Sequence, residues 1–353
     1  MVKTYRIAVL PGDGIGTEVI PEALRALRAV EARVGEIQFE FEEFSVGAAE
    51  YLRGGDPMPP ATLARLRRFD AILLGAMGLP DVRWPDGTEM TPQLDLREKL
   101  DLYLGLRPVR LYHQRDSPLA GVSAGEVDML IVRENTEGLF FSRRRRPRDG
   151  ATQVRDTMRI SRAASERLFR GAFREAARRR GLVTLVDKSN VLPSMVFFRS
   201  IFDEIAAEFP GVRTERIYID AAALYLVRNP RRFDVMVTEN MFGDILSDLA
   251  AGLVGGMGMA PSGDVGERHA VFQPAHGSAP DIAGKGLANP TAAILSAAMM
   301  LDWFGDLASL RGAEMIRNAV KRVYTNSVER TADLGGSLTT TQLGQRIVDG
   351  IAS

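Results

Sequence analysis

An α/β fold built on a largely parallel sheet is what this sequence predicts, on three observations. Short apolar runs of strand length alternate with amphipathic helical stretches over most of the chain. Runs such as Ala71–Leu74 are apolar throughout, as strands buried on both faces are. Several runs end in polar residues, and the carboxyl ends of parallel strands are where open α/β sheets bind ligands. At 353 residues the chain is long enough for two domains around large cores.

From the N-terminus, Tyr5–Leu10 reads as a strand, followed by a glycine turn and a helix near Glu18–Glu31. Gln38–Phe44 is a strand, Pro60–Arg68 a helix and Ala71–Leu74 a buried strand. Later strands are expected at Met129–Val132, Val183–Val186, Arg216–Ile219 and Val235–Val237. Helices lie between them, among them Ala163–Arg180 and Met195–Phe209. No internal repeat is visible.

Composition removes several function classes. Lys+Arg and Asp+Glu are both 45, and this zero balance argues against sequence-independent nucleic-acid binding. The absence of cysteine excludes disulfides, zinc–thiolate sites, iron–sulfur clusters and cysteine nucleophiles. The three histidines are too scattered for a histidine metal site. Met1–Leu10 reads as a strand and not as a signal peptide, and the apolar helix Ala292–Leu301 is too short to span a bilayer, so a soluble cytoplasmic protein without membrane contact is the default. The basic run Arg143–Arg146, Pro147, Arg148 reads as a solvated arm or loop, with an anion- or RNA-binding patch as the alternative; it lacks the interleaved aromatics of single-strand binders.

The most informative segment is Glu239-Asn240-Met241-Phe242-Gly243-Asp244-Ile245-Leu246-Ser247-Asp248. Asp244 and Asp248 are four apart, which on a helix stacks both carboxylates on one face. With Ile245, Leu246 and Leu249 on the other faces, the helix is expected to be largely buried, and stacked carboxylates there call for a cation. Oxygen ligands alone suit Mg²⁺ or Mn²⁺. One N-cap aspartate and one solvated aspartate is the plain alternative.

Other motifs are weaker singly. Pro11-Gly12-Asp13-Gly14-Ile15-Gly16-Thr17-Glu18 opens a helix after a strand, but Thr17 stands where the dinucleotide fingerprint needs glycine, and a flexible strand-to-helix turn accounts for it. His276-Gly277-Ser278-Ala279-Pro280-Asp281-Ile282-Ala283-Gly284-Lys285-Gly286 is a polar, glycine-rich loop of the kind that presents backbone N–H groups to a nucleotide. Arg97, Arg107 and Arg133 could clamp a dicarboxylate by bidentate bonds, or pair internally with Glu98, Asp101 and Glu134. Lys188, in Asp187-Lys188-Ser189-Asn190, ends a buried strand and can serve as a base or pair with Asp187; Asp220 ends another strand in the same way.

In this order, the segments LREKLDLYLGLRP, VRENTEG, DKSNVL, NMFGDILSD and HGSAPDIAG resemble the β-decarboxylating dehydrogenases, the family of isocitrate, 3-isopropylmalate, homoisocitrate, tartrate and D-malate dehydrogenases. The resemblance spans nearly the whole chain and implies that family's fold, unlike the ordinary Rossmann type. Two α/β domains share a large mixed, mostly parallel sheet: residues 1–102 plus 255–353 hold the cofactor, and 103–254 hold substrate and metal and form the dimer, with a clasping arm at about 140–158. It implies a homodimer with shared active sites, in which Lys188 and Asp220 reach into the neighbour's site.

The residue roles implied are these. Arg97, Arg107 and Arg133 orient the substrate carboxylates, and Gln93, Leu94 and Phe140 border the substrate. Asp220, Asp244 and Asp248 hold Mg²⁺ or Mn²⁺, which acidifies the C2 hydroxyl, polarises the ketone and stabilises the enolate. Lys188, or Asp220 through water, takes the proton as hydride leaves for NAD. His276, Gly277, Ser278, Ala279, Pro280, Asp281, Ile282, Asn289 and Asn190 hold the cofactor. Asp281 would repel a 2′-phosphate, and NADP-using relatives carry a lysine–tyrosine pair where Asp281-Ile282 stands, so NAD is expected.

Two departures from the family pattern matter. The family's RENxEGxY supplies a tyrosine that protonates the enolate; Phe140 here keeps the ring and loses the acid. Before Arg97, Thr91 and Gln93 fall at positions where isocitrate enzymes carry Ser and Asn, Met90 replaces the isopropylmalate enzymes' glutamate, and Leu94 keeps only one of their two leucines. The expectation is oxidation, with decarboxylation, of a malate-type 2-hydroxy dicarboxylic acid such as 3-isopropylmalate, D-malate or tartrate, the C3 substituent being small or polar. The alternatives are oxidation without obligatory decarboxylation and a catalytically silent regulatory subunit.

Overall fold

A computed structural model describes residues 2–146, 150–325 and 328–353. The first third contains β1 (Lys3–Gly12), α1 (Gly16–Val34), β2 (Ile37–Glu43), α2 (Ala48–Gly54), α3 (Pro60–Leu66), β3 (Ala71–Ala76) and α4 (Pro92–Lys99). The middle contains β4 (Leu104–Arg110), β5 (Asp128–Glu134), α5 (Arg162–Ala177), β6 (Leu182–Asp187), α6 (Pro193–Ala206), β7 (Arg213–Tyr218), α7 (Ile219–Arg228), β8 (Val235–Thr238) and α8 (Asn240–Gly252). The chain ends with β9 (Pro261–Val265), β10 (Ala270–Pro274), α9 (Thr291–Phe304), α10 (Leu307–Thr325) and α11 (Thr340–Ala352).

Local chemistry starts and stops these elements. Proline opens α3, α4 and α6, where its missing N–H would be unpaired anyway. Ser161 caps α5 by accepting the Ala164 N–H, and Thr339 with Gln342 forms a capping box on α11. Gly35, in the left-handed region at φ 71°, ends α1.

The ten strands of the described residues form one sheet in the order β2-β1-β3-β10-β9-β4-β5-β8-β6-β7. Pairing is parallel except at β10/β9, β9/β4 and β4/β5. Strands from residues 3–76 and 261–274 make one half and strands from 104–238 the other, joined where Gly105 faces Asp264 across β4/β9. Helices cover both faces. α9 is apolar nearly all round and buried, and Phe169, Phe173, Phe198 and Phe202 interlock between α5 and α6. No helix among the described residues is long and apolar enough to cross a membrane.

Three expectations change. The strand expected at Arg216–Ile219 ends at Tyr218, and Ile219-Asp220 open α7, so Asp220 is a first-turn helix residue. Ile245 is 56% exposed: α8 buries Phe242, Leu246 and Ala250 and leaves its other side to solvent. Strands β4, β9 and β10 were not anticipated, because LGLRPVR carries a proline and two arginines and PSGDV is mostly small and polar. They are strands because both of their edges are paired inside the sheet.

Candidate active site

A cavity of ≈ 260 Å³ opens where the two halves of the sheet meet, lined by Gln93, Leu94, Arg97, Arg133, Phe140 and Asp244 together with the stretch 273–277. Helix α4 brings Gln93, Leu94 and Arg97 to it from one half, while β5 and the 3₁₀ turn Leu139–Ser142 bring Arg133 and Phe140 from the other. Arg107, on β4, does not line it.

The arginines do not pair with Glu98, Asp101 or Glu134. Those carboxylates bind Arg143 and Arg144, Arg167, and the hydroxyl and backbone of Thr136. Asp264 on β9 takes their place. It accepts from Arg97 Nε at 2.8 Å, Arg107 Nη2 at 2.8 Å, Asn135 Nδ2 at 2.9 Å and Gln273 Nε2 at 3.3 Å, all with the carboxylate buried. Burial alone would raise its carboxyl, but Arg107 and Arg97 reverse that and hold it well below the usual carboxylate range. Arg107 therefore stands behind the cavity as a brace, and Arg97 keeps its terminal nitrogens for the opening. Sequence reading missed Asp264, although it is the only charged residue between Asp248 and Glu267 and two buried arginines need an anion.

Arg133 meets Asn240 Oδ1 through Nε at 2.9 Å and Nη2 at 2.7 Å, and pairs with Asp244. Burial, followed by the charge of Arg97, lowers its guanidinium to about 9, so it stays charged at neutral pH. Asn240 starts α8, and Glu239, fully buried, caps it by accepting the Phe242 N–H. Gly243 lets the helix lie this close, since a Cβ there would fall 2.8 Å from Arg133 Cβ.

Asp244 borders the cavity and Asp248 stands one turn further on. They share a face as expected, but on the exposed side of α8 with Ile245. Partial desolvation by its neighbours, and then the charge of Asp244, raise the Asp248 carboxyl above its ordinary value, although the residue remains exposed. Two like charges on one helix face, with only hard oxygen donors, fit a divalent ion. Among the described residues no three acidic or histidine groups converge within one chain. Asp220 is elsewhere, bound to Lys188 Nζ at 2.7 Å, and that ion pair holds its carboxyl below the ordinary value. The surrounding helices expose Val196, Phe197, Leu224, Tyr225 and Val227.

The expected cofactor loop enters the cavity at His276 and Gly277. Burial lowers the His276 imidazole, which is therefore neutral. Its Nδ1 lies 2.9 Å from the Gly277 carbonyl and donates to it, which leaves the buried Nε2 as an acceptor that has no hydrogen-bond partner among the described residues. Ser278 donates to the Gly78 carbonyl, Ala279 adopts φ 39°, and Asp281 is exposed. Asn289 is buried and bonded to Tyr324 and Asp333, each at 3.2 Å. Asn190 sits in the exposed turn beyond Lys188, apart from the lining residues of the cavity.

The basic run folds onto its own chain. Arg143 and Arg144 bind Asp95 and Glu98 of α4, and Arg146 binds Asp86. Residues 150–157 of the expected arm are exposed, and Pro147, Arg148 and Asp149 lie outside the described residues.

The sequence matches the isocitrate/isopropylmalate dehydrogenase family model over residues 6–347. It is 46% identical to a 3-isopropylmalate dehydrogenase of Moorella thermoacetica over 339 residues, covering 94% of this chain and 93% of that one. It is 45% identical to an isocitrate/homoisocitrate dehydrogenase of Thermus thermophilus, covering 99% of each. Its fold is similar to the crystal structure of isocitrate dehydrogenase from Methylococcus capsulatus, with a TM-score of 0.88, 35% identity and coverage of 99% and 100%. A β-decarboxylating dehydrogenase from Thermococcus kodakarensis gives a TM-score of 0.81, 41% identity and coverage of 98% and 96%.

Proposed function

The chain belongs to the isocitrate/isopropylmalate dehydrogenase family, and from that premise we propose that it is an NAD- and divalent-metal-dependent oxidoreductase that oxidises and decarboxylates a malate-type 2-hydroxy dicarboxylic acid. 3-Isopropylmalate, D-malate and tartrate are the leading substrates. The observation that carries the reading is one cavity holding Arg97, Arg133 and Asp244 at its wall, with His276 Nε2 at its rim and unpartnered among the described residues. Two guanidinium groups match two carboxylates, and the acidic pair fits a hard cation.

The residues then divide the work. Arg97, held by Asp264, and Arg133, held by Asn240, present fixed charge to the substrate carboxylates and orient the C2 carbon. Asp244 and Asp248 would hold Mg²⁺ or Mn²⁺ with Asp220 of a second copy of the chain, and such an ion, when bound, lowers the pKa of the substrate hydroxyl. NAD, when bound at the 276–286 loop, would supply the hydride acceptor. Lys188 of that second copy, in its neutral form, or its Asp220 through water, would accept the hydroxyl proton, and the contact between the two side chains places them together. Asp281 accepts the adenosine ribose hydroxyls and disfavours a 2′-phosphate, Ile282 flanks it, and Asn289 meets the adenine.

A homodimer is part of this proposal. The apolar side chains exposed on α6 and α7 surround the Lys188–Asp220 pair and make a surface suited to a second copy. The proposed division into residues 1–102 plus 255–353 and 103–254 draws support from the strand order, which groups β1–β3 with β9 and β10 and keeps β4–β8 together. Gln93, with its Oε1 buried and unpartnered among the described residues, favours a substrate whose C3 substituent donates a hydrogen bond, as the hydroxyl of tartrate does.

Phe140 favours a second reading. It lines the cavity 5.5 Å from the Arg133 guanidinium and has no proton to give, so oxidation can outrun decarboxylation. One assay separates the readings: NADH and CO₂ followed together with NAD and Mn²⁺ on D-malate, the tartrates, 3-isopropylmalate, isocitrate and homoisocitrate. Matched yields support oxidative decarboxylation, NADH without CO₂ supports simple oxidation, and no turnover of any acid overturns both in favour of a silent subunit.

A further inference from the structure

The first glycine-rich turn, Pro11–Glu18, has no part in the site described so far, yet it grips the cofactor loop at both ends. The Ile15 N–H donates to the Ser278 carbonyl at 2.8 Å. Gly14 permits this approach: at φ 55° it is left-handed, and a Cβ there would lie 2.0 Å from that same carbonyl oxygen. Glu18, in the first turn of α1, accepts the Gly284 N–H on one carboxylate oxygen and the Gly286 N–H on the other, the latter at 3.0 Å. The turn is itself anchored by buried Asp13, which accepts the N–H groups of Ala48, Ala49 and Gly78 at 2.7, 2.9 and 2.7 Å. Asp281 is thus carried between one clamp at Ser278 and another at Gly284–Gly286.

We propose that Glu18 is a positioning residue for NAD, fixing the far end of the 276–286 loop in its binding geometry before the cofactor arrives. The inference rests on the reading of that loop as the NAD site. Gly284 and Gly286 are both left-handed, at φ 77° and 64°, with only Lys285 between them, so the segment has a wide choice of backbone conformations when unpinned. Two charge-assisted bonds from one carboxylate in the first turn of α1 remove that choice. Without them, binding weakens in proportion to the fraction of loop still competent.

The test is Glu18→Gln, which keeps the size but turns an amide NH₂ toward one of the two backbone N–H groups. NAD binding is measured by calorimetry, KM is measured separately for NAD and for the hydroxy acid, and tryptic cleavage after Lys285 is timed with and without NAD. The expected result is about a tenfold weaker NAD affinity and an equal rise in its KM, with kcat at saturating NAD and the KM of the acid unchanged within about twofold. Cleavage after Lys285 quickens and NAD suppresses it. A purely structural role would lower the melting temperature without separating the two KM values. Wild-type NAD binding that is matched by a folded E18Q, with cleavage unchanged, overturns the inference alone. Wild-type protein that binds no NAD overturns the cofactor reading and the inference with it. Should E18Q fail to fold, Glu18→Asp, which keeps the charge but draws it back from the Gly284 and Gly286 N–H groups, carries the same expectation.

Discussion

Asp264→Asn tests whether Arg97 and Arg107 are held by charge. The wild-type cluster sets three guanidinium groups, Arg97, Arg107 and Arg133, against two carboxylates, Asp264 and Asp244. Asparagine removes one of those two negative charges and offers one acceptor oxygen where four donors converge. At least one N–H then faces the amide NH₂, with both neighbouring arginines buried. Removing one partner from a buried ion pair costs about 3–5 kcal/mol, because the other charge is left uncompensated. Urea unfolding at pH 7, followed by circular dichroism, should show a loss of that size. A small dicarboxylate such as malonate should recover more stability in the variant than in the wild type. The sign with pH also follows. Asp264 has its folded value depressed, so its contribution is complete above the ordinary carboxylate range of about 4 and disappears only as pH falls through the folded value. The gap between variant and wild type should therefore be flat from pH 5 to 8. A loss below about 1 kcal/mol at pH 7, or a gap that changes across that range, refutes the argument.

Further outcomes are expected at the other positions. Phe140→Tyr restores a proton donor beside Arg133 and should raise CO₂ release roughly a hundredfold where decarboxylation limits turnover; an unchanged CO₂-to-NADH ratio counts against a role for this position. Asp248→Asn should weaken Mn²⁺ binding, read by electron paramagnetic resonance of the free ion, by at least about tenfold while leaving NAD binding intact; unaltered Mn²⁺ affinity would remove the aspartate from the site. Asp281→Lys with Ile282→Tyr should reverse the preference from NAD to NADP, measured as the ratio of kcat/KM values, and a retained NAD preference would place cofactor discrimination elsewhere. Leu224→Lys, on the exposed apolar face, should shift the protein to monomers in analytical ultracentrifugation and abolish activity while a single chain stays folded; full activity in a monomer would disprove shared sites.

Much of this protein is determined by residues that act over short distances. Alternation of apolar runs with amphipathic helices predicts the α/β class because strand and helix periodicities are properties of ten or so consecutive residues. Asp244 and Asp248 share a face because helix geometry alone stacks residues four apart. The order of five motifs identifies the family for the same reason: each is local and legible without the fold. The tertiary structure decided what depends on residues far apart in the chain. Arg97 and Arg107 find their partner more than 150 residues away in Asp264, because β9 inserts beside β4 at the centre of the sheet. β4 and β9 are strands through pairing on both edges, against their own weak propensity. Ile245 and the face around Lys188 are exposed because nothing in one chain covers them, a fact that hydrophobicity along the sequence reads as burial. The turn at Gly14–Glu18 looks like an incomplete nucleotide loop in sequence; its close approach to Ser278 and Gly286 exists only once β1 and β10 flank β3 on its two edges, which brings the segments after them together.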